Sequence, residues 1–259
     1  MSYKLNDDQK RIICERYLAG QSSESLAREF NVSGPAIRGL LSRRGIKRRS
    51  ISEAMRTFTC NHNSFSIINT EEQAYWLGFL AADGAITKNT LACYLSQTDR
   101  EHLFQLRRFL QSNHPIKSYT YPKTSFSRLY IRSNKLVSDL AQYGVTEKKT
   151  FTLRWPKIPL SLQHHFIRGY TDGDGGFYIR PTKFPTPAFT FEVTGNKTFI
   201  TALQTYLMEK CNLSRTKLFY RHKSIPIVTM RYSGRLQVIR IFELLYSDAT
   251  IYLPRKKIF

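Results

Sequence analysis

Asp83 and Asp174 each close a run that ends in Asp-Gly. The runs are Trp76-Leu77-Gly78-Phe79-Leu80-Ala81-Ala82-Asp83-Gly84 and Ile167-Arg168-Gly169-Tyr170-Thr171-Asp172-Gly173-Asp174-Gly175, and they align at an offset of 91 residues. The chain therefore contains an internal repeat. Both runs read as helices, and the first is apolar all round, so it must be buried on most sides. Gly78 and Gly169 sit in mid-helix, at a cost of about 1 kcal/mol relative to alanine. Close approach of another helix explains that cost, and a seam through both glycines makes each helix the partner of the other. The two carboxylates then converge at the wrong end of two helix dipoles, an arrangement to be avoided unless positive charge lies between them. Hard divalent cations with oxygen ligands fit that role, Mg²⁺ first and Mn²⁺ as a substitute.

Other metal and nucleotide patterns fail. Asp172-Gly173-Asp174 begins like a calcium-binding loop, but its sixth position is Phe177 and its twelfth Lys183. Gly173-Asp174-Gly175 follows a helix, whereas a dinucleotide fingerprint opens one. Cys60 and His62 are two ligands and do not make a site. Cys14, Cys60, Cys93 and Cys211 contain no CxxC pair and fit reduced thiols.

The elements that position the aspartates follow from caps and periodicity. Thr70 and Gln73 form a capping box for the first helix, and Ser161 is expected to cap the second. After Gly84 come strands at Ala85–Thr87 and Leu91–Ser96, a helix at Asp99–Leu110, strands near Ser118–Tyr121 and Leu129–Arg132, and a helix at Asn134–Tyr143. After Gly175 the same order recurs at Phe177–Arg180, Phe189–Thr194, Lys197–Lys210, Leu218–Arg221, Ile227–Tyr232 and Arg235–Leu245. Each half is αββαββα, so residues 71–160 and 161–259 form an α+β duplication with pseudo-two-fold symmetry.

Residues 1–50 read as a separate all-α unit. Asn6 caps a helix through Ile13 and Tyr17, and Gly20 ends it. Ser22 caps a second helix with Leu26, Ala27 and Phe30 inside, and Ser33 caps a third with Ile37, Leu40 and Leu41 inside. Three short helices with a tight turn before the last make a helix-turn-helix. Its third helix exposes Arg38, the best candidate for a base edge, with Ser42 and Arg43. Arg44, Lys47, Arg48 and Arg49 are candidates for phosphates. Residues 51–70 lose periodicity and read as a solvated linker.

Across its 259 residues the chain has 40 Lys and Arg against 19 Asp and Glu, a net charge of +21, and this excess points to a polyanionic partner. Residues 1–70, 71–160 and 161–259 carry +6, +6 and +9, so every segment faces that partner and a basic tail on a neutral enzyme is excluded. No run of 18 apolar residues and no secretory leader is present, so an intracellular protein of cytoplasm, nucleoid or organelle matrix is expected.

Residues 70–259 resemble the LAGLIDADG homing endonucleases in their single-chain, two-motif form. The two Asp-Gly runs match the paired motifs. Tyr143-Gly144-Val145 through Pro156-Lys157-Ile158-Pro159 resembles the approach to the second motif, and Ile251-Tyr252-Leu253-Pro254-Arg255-Lys256-Lys257 resembles the family's ending. The resemblance implies metal-binding catalytic roles for Asp83 and Asp174. It implies a solvent-orienting role for Gln97, whose counterpart would be Gly195, and basic residues near the scissile phosphates at Lys149 (or Lys148) and Lys256. Asp172, aligned with Ala81, is then structural. It further implies divalent-metal-dependent hydrolysis of both strands of a duplex, with short 3′ overhangs and a β-saddle on a long, asymmetric site. Lys88, Arg128, Arg132, Arg180, Arg221 and Arg231 are the candidate groove contacts, and the helix-turn-helix adds a second reading head. Both half-sites lie in one chain, so a monomer is expected. A DNA-binding regulator that has lost the chemistry and an intron RNA maturase are the alternatives, and retention of both aspartates weighs against the first.

Overall fold

The computed structural model describes residues 5–49, 58–181, 187–220 and 225–258. The chain divides into two compact units, Met1–Thr57 and Phe58–Phe259.

The first unit holds α1 (Asp7–Leu18), α2 (Ser23–Glu29) and α3 (Gly34–Arg43). Asn6 and Gln9 form a reciprocal capping box on α1, and the hydroxyls of Ser22 and Ser33 accept from Ser25 N and Ala36 N. Gly20 and Gly45 take positive φ where α1 and α3 end, as the spacing predicts. Ile13, Tyr17, Leu26, Ala27, Ile37, Leu40 and Leu41 close a small core of their own.

The second unit begins earlier than the sequence suggests. Of the expected linker, residues 50–57 lie outside the described residues, and 58–69 are not a solvated linker. Phe65 and Ile68 are buried in the main core, Asn61 N donates to Leu110 O at 2.8 Å, and His62 Nδ1 lies 2.7 Å from Ser133 Oγ. Loss of periodicity there reflects an irregular segment held by hydrogen bonds to Leu110 and Ser133, at the ends of two later helices.

From Thr70 the order is α4 (Glu71–Asp83), β1 (Gly84–Thr87), β2 (Thr90–Ser96), α5 (Arg100–Phe109), β3 (Lys117–Tyr121), β4 (Thr124–Arg132) and α6 (Asn134–Gln142). A short turn of helix, α7 (Lys149–Thr152), lies in the connection. The second half repeats the order as α8 (Gln163–Asp174), β5 (Gly175–Arg180), β6 (Ala188–Asn196), α9 (Lys197–Cys211), β7 (Phe219–Tyr220), β8 (Ile227–Ser233) and α10 (Arg235–Tyr246). Each half makes an antiparallel four-stranded sheet, β1-β2-β4-β3 and β5-β6-β8-β7. One hydrophobic core runs through both halves. The result is the α+β duplication read from the sequence. Ser161 does not cap α8. A 3-10 turn at Leu160–Leu162, set by Pro159, precedes the helix and leaves Leu162 at its start without a side-chain cap. Among the described residues, no helix is long and apolar enough to cross a membrane.

Candidate active site

α4 and α8 pack through their glycines. A Cβ on Gly78 would lie 1.9 Å from the Phe166 carbonyl oxygen, and one on Gly169 would lie 2.0 Å from that of Tyr75. Backbone meets backbone reciprocally, which only glycine permits. The seam continues to the C-terminal ends of the helices. A Cβ on Gly173 would meet Ala82 Cβ at 2.4 Å and Asp83 Oδ2 at 3.2 Å, so the Asp83 carboxylate lies against the residue that precedes Asp174. Asp83 is half-buried and Asp174 is exposed.

Two lysines close this end. Lys149 Nζ donates to the carbonyl of Ala82, and Lys256 Nζ donates to the carbonyl of Gly175. A cation on the last carbonyls of a helix is favourable, and here it offsets the dipole that the aspartates oppose. Burial pushes both lysines below the ordinary range, against the attraction of Asp83. Asp83 itself is raised to about 6 by burial and by the charge of Asp174, with Lys149, Lys256 and Arg255 pulling the other way. Two carboxylates brought together at the ends of packed helices offer oxygen donors that fit a hard divalent cation.

The raised carboxyl makes a testable statement about stability. Asp83 has a folded value of about 6 against 3.8 unfolded, so the native state holds the proton more tightly. Its contribution is complete below the unfolded value and is lost as pH rises through 6. In EDTA, wild type loses about 3 kcal/mol more than Asp83→Asn between pH 4 and 7, read by urea unfolding at each pH. Parallel curves for the two proteins would refute the assignment.

Asp172 is structural, as the aligned Ala81 of the first repeat suggests. Fully buried, it accepts from the Tyr75 hydroxyl at 2.7 Å, the Tyr246 hydroxyl at 2.5 Å and Leu253 N at 2.7 Å. One turn earlier, the buried Arg168 donates to the carbonyls of Ile251 at 3.0 Å and Leu245 at 2.9 Å, and pairs with Glu71. These two side chains clamp the C-terminal tail onto α8. Their signal was visible, because both are charged residues four apart on a buried face where the first repeat has Leu77 and Ala81. A neighbouring group, His164, His165 and Asp248, brings its ligand atoms within 4.8 Å of one another. It is not a metal centre: His165 Nδ1 accepts from Arg168 at 3.0 Å, and the neutral ring keeps its proton on Nε2.

Strand register corrects the counterpart assigned to Gln97. Gly84 pairs with Cys93 and Gly175 with Val193, so register makes Lys197 the counterpart of Gln97 and Leu95 that of Gly195. Gln97 lies four residues beyond Cys93, just past the end of β2, where a 3-10 turn begins. There its side-chain oxygen Oε1 accepts from the Ser127 hydroxyl at 2.8 Å. Two further polar residues of the second repeat carry no signal in the sequence. Tyr170, where the first repeat has Phe79, places its buried hydroxyl on Asp174 and on Thr194 O at 3.0 Å. Glu192, opposite Gly176, pairs with Arg231 at 2.7 Å.

The candidate groove contacts divide by surroundings. Arg128 and Arg132 share the face of the first sheet that carries the exposed Tyr94 and Tyr130, and Arg128 packs among the rings of Tyr94, Tyr119 and Tyr130. Arg180 lies over the Tyr178 ring, Lys88 is exposed in the β1–β2 turn, and Arg231 is committed to Glu192. Arg221 lies outside the described residues. In the first unit Ser42, Arg43, Arg44, Lys47 and Arg48 are exposed, while Arg38 pairs with Glu24. Arg49 turns inward over the Tyr17 ring and donates to Gly20 O at 2.8 Å, which removes it from the phosphate candidates.

The fold has counterparts among solved structures. The meganuclease I-SmaMI, bound to uncleaveable DNA, matches at TM-score 0.50 and 14% identity over 69% of this chain and 85% of that one. The chain has the LAGLIDADG homing-endonuclease fold. Two further LAGLIDADG proteins match at 13% identity: the homing endonuclease I-LtrWI bound to target DNA (TM-score 0.48, 76% of this chain and 87% of that one) and the meganuclease I-AabMI bound to uncleaved DNA (0.46, 71% and 86%). No family model and no curated protein sequence matches. In this chain α4 and α8 are the paired helices, and they end at Asp83 and Asp174.

Proposed function

We propose that the protein is a site-specific, divalent-metal-dependent DNA endonuclease that hydrolyses one phosphodiester in each strand of a duplex. The observation that carries this reading is the pair of aspartates on converging helix ends, each flanked by a lysine on the adjacent carbonyl. Asp83 and Asp174 would hold Mg²⁺ or a similar cation. When bound, that cation would polarise the phosphate and lower the pKa of a coordinated water. Lys149 and Lys256, already desolvated, would face the charge that develops on the phosphate oxygens. The aromatic and basic outer faces of the two sheets would lie along the major groove as a saddle, and the products would carry short 3′ overhangs. The helix-turn-helix unit would read flanking sequence, lengthening an asymmetric site bound by a monomer.

The test is cleavage of a randomised duplex library in Mg²⁺ and in EDTA, with the new ends sequenced. Discrete ends with matched 3′ overhangs, seen only with Mg²⁺, are the expected result. Selective retention of duplex without cutting would favour a regulator, and preference for folded RNA over duplex would favour a maturase.

A further inference from the structure

Lys149 and Lys256 come from corresponding places in the two repeats. Each lies on the segment that follows the last helix of its half, and each amine reaches the end of its own half's motif helix, at Ala82 O and Gly175 O. The anchors of those segments are crossed. Leu153, four residues after Lys149, offers its carbonyl to Asn196 Nδ2 of the second repeat at 3.0 Å. Asn196 is buried and also caps α9 through Phe199 N at 2.9 Å. Arg255, next to Lys256, is gripped by Asp99 of the first repeat, with Nε to Oδ1 and Nη2 to Oδ2 both at 2.9 Å. Asp172 fixes the tail at Leu253, and Asp99 fixes the next turn, which carries Lys256.

The two anchors occupy neighbouring positions of the repeat, three residues apart in register. Register makes Ser96 the counterpart of Asn196, and Asp99 follows Ser96 by one turn. Both therefore stand where the second strand of a half turns into its next helix. A planar guanidinium held by two bonds to a buried carboxylate has little freedom. A buried amide that bridges a carbonyl and a helix cap has no solvent alternative.

We infer that Asp99 and Asn196 are positioning residues that hold Lys256 and Lys149 in place from the opposite repeat, so that each half's lysine depends on the other half. The catalytic meaning of this coupling rests on the endonuclease reading, but the placement does not.

Amine labelling of the full-length protein, without DNA or metal and resolved lysine by lysine, tests the placement. Asp99→Ala and Arg255→Gln should raise labelling of Lys256 at least about fivefold with Lys149 within about twofold of wild type, the size expected on losing hydrogen bonds to a charged group. Asn196→Ser, which keeps a capping oxygen but cannot reach Leu153, should do the reverse. Arg255 is half-exposed, so its variant preserves the test if Asp99→Ala fails to fold. Equal changes at both lysines, or none, would overturn the inference. On a cleavable duplex labelled on both strands, the ratio of the two nicking rates should move in opposite directions in Asp99→Ala and Asn196→Ser. Equal slowing of both strands would also overturn it. A wild type that labels as expected but cuts no duplex would remove the endonuclease reading and leave the placement standing.

Discussion

Replacing Asp83 and Asp174 together by asparagine should lower cleavage by at least about 10⁴-fold while leaving the fold intact. Asparagine keeps the size of the side chain and loses its charge. A neutral amide oxygen is a poor ligand for a hard cation, and the loss of several kcal/mol of transition-state stabilisation corresponds to that factor. The stability effect should have the opposite sign to that of most substitutions at half-buried sites. Burial, and after it the charge of Asp174, raises the Asp83 carboxyl to about 6. Removing that repulsion should raise the melting temperature in EDTA at pH 7, whereas Mg²⁺ should raise it for wild type and not for the variant. Time courses on a site recovered from the library, with thermal unfolding alongside, read both effects. Residual cutting within about tenfold of wild type would remove the two aspartates from the chemistry.

Much of this site was legible because its signals are local. Gly78 and Gly169 stood out as an unexplained cost within two helices, and that cost is the backbone contact that the structure shows. The repeat order followed from caps and periodicity. Signals that depended on register or on long separations were not legible. Taking the residue just after each expected strand end, Ser96 and Thr194, placed Gly195 opposite Gln97. β6, however, runs on to Asn196, and strand pairing sets equivalence. Asp99 meets Arg255 across 156 positions, and Asn196 meets Leu153 across 43. No pattern in either neighbourhood announces such a pair. Residues 58–69 look like a linker because their order comes from hydrogen bonds to other segments, not from a period of their own.

Gly169→Ala should destabilise the second unit by about 4 kcal/mol or more, beyond the ordinary cost of an added methyl in a core. The new Cβ would stand 2.0 Å from Tyr75 O and 2.8 Å from Phe79 N, and neither is the tip of a side chain that can rotate away. Relief requires the helices to part, and that opens the packing of Tyr75, Trp76, Phe79 and Phe166, all fully buried. The gain in helix propensity, about 1 kcal/mol, has the wrong sign to account for any loss. Gly39→Ala in α3 provides the contrast: its Cβ would meet only Arg43 Nη1, at 3.8 Å, so the same change should leave stability unchanged or improve it. Denaturant melts of the two variants separate seam from propensity, and similar behaviour would show that the glycine seam is not what brings the helices together. The seam also sets the spacing of the two aspartates, since it runs on to Gly173 and Asp83. At a temperature where Gly169→Ala is still folded, cleavage should therefore fall by about 10²-fold, because a displacement near 1 Å is enough to spoil a reacting geometry.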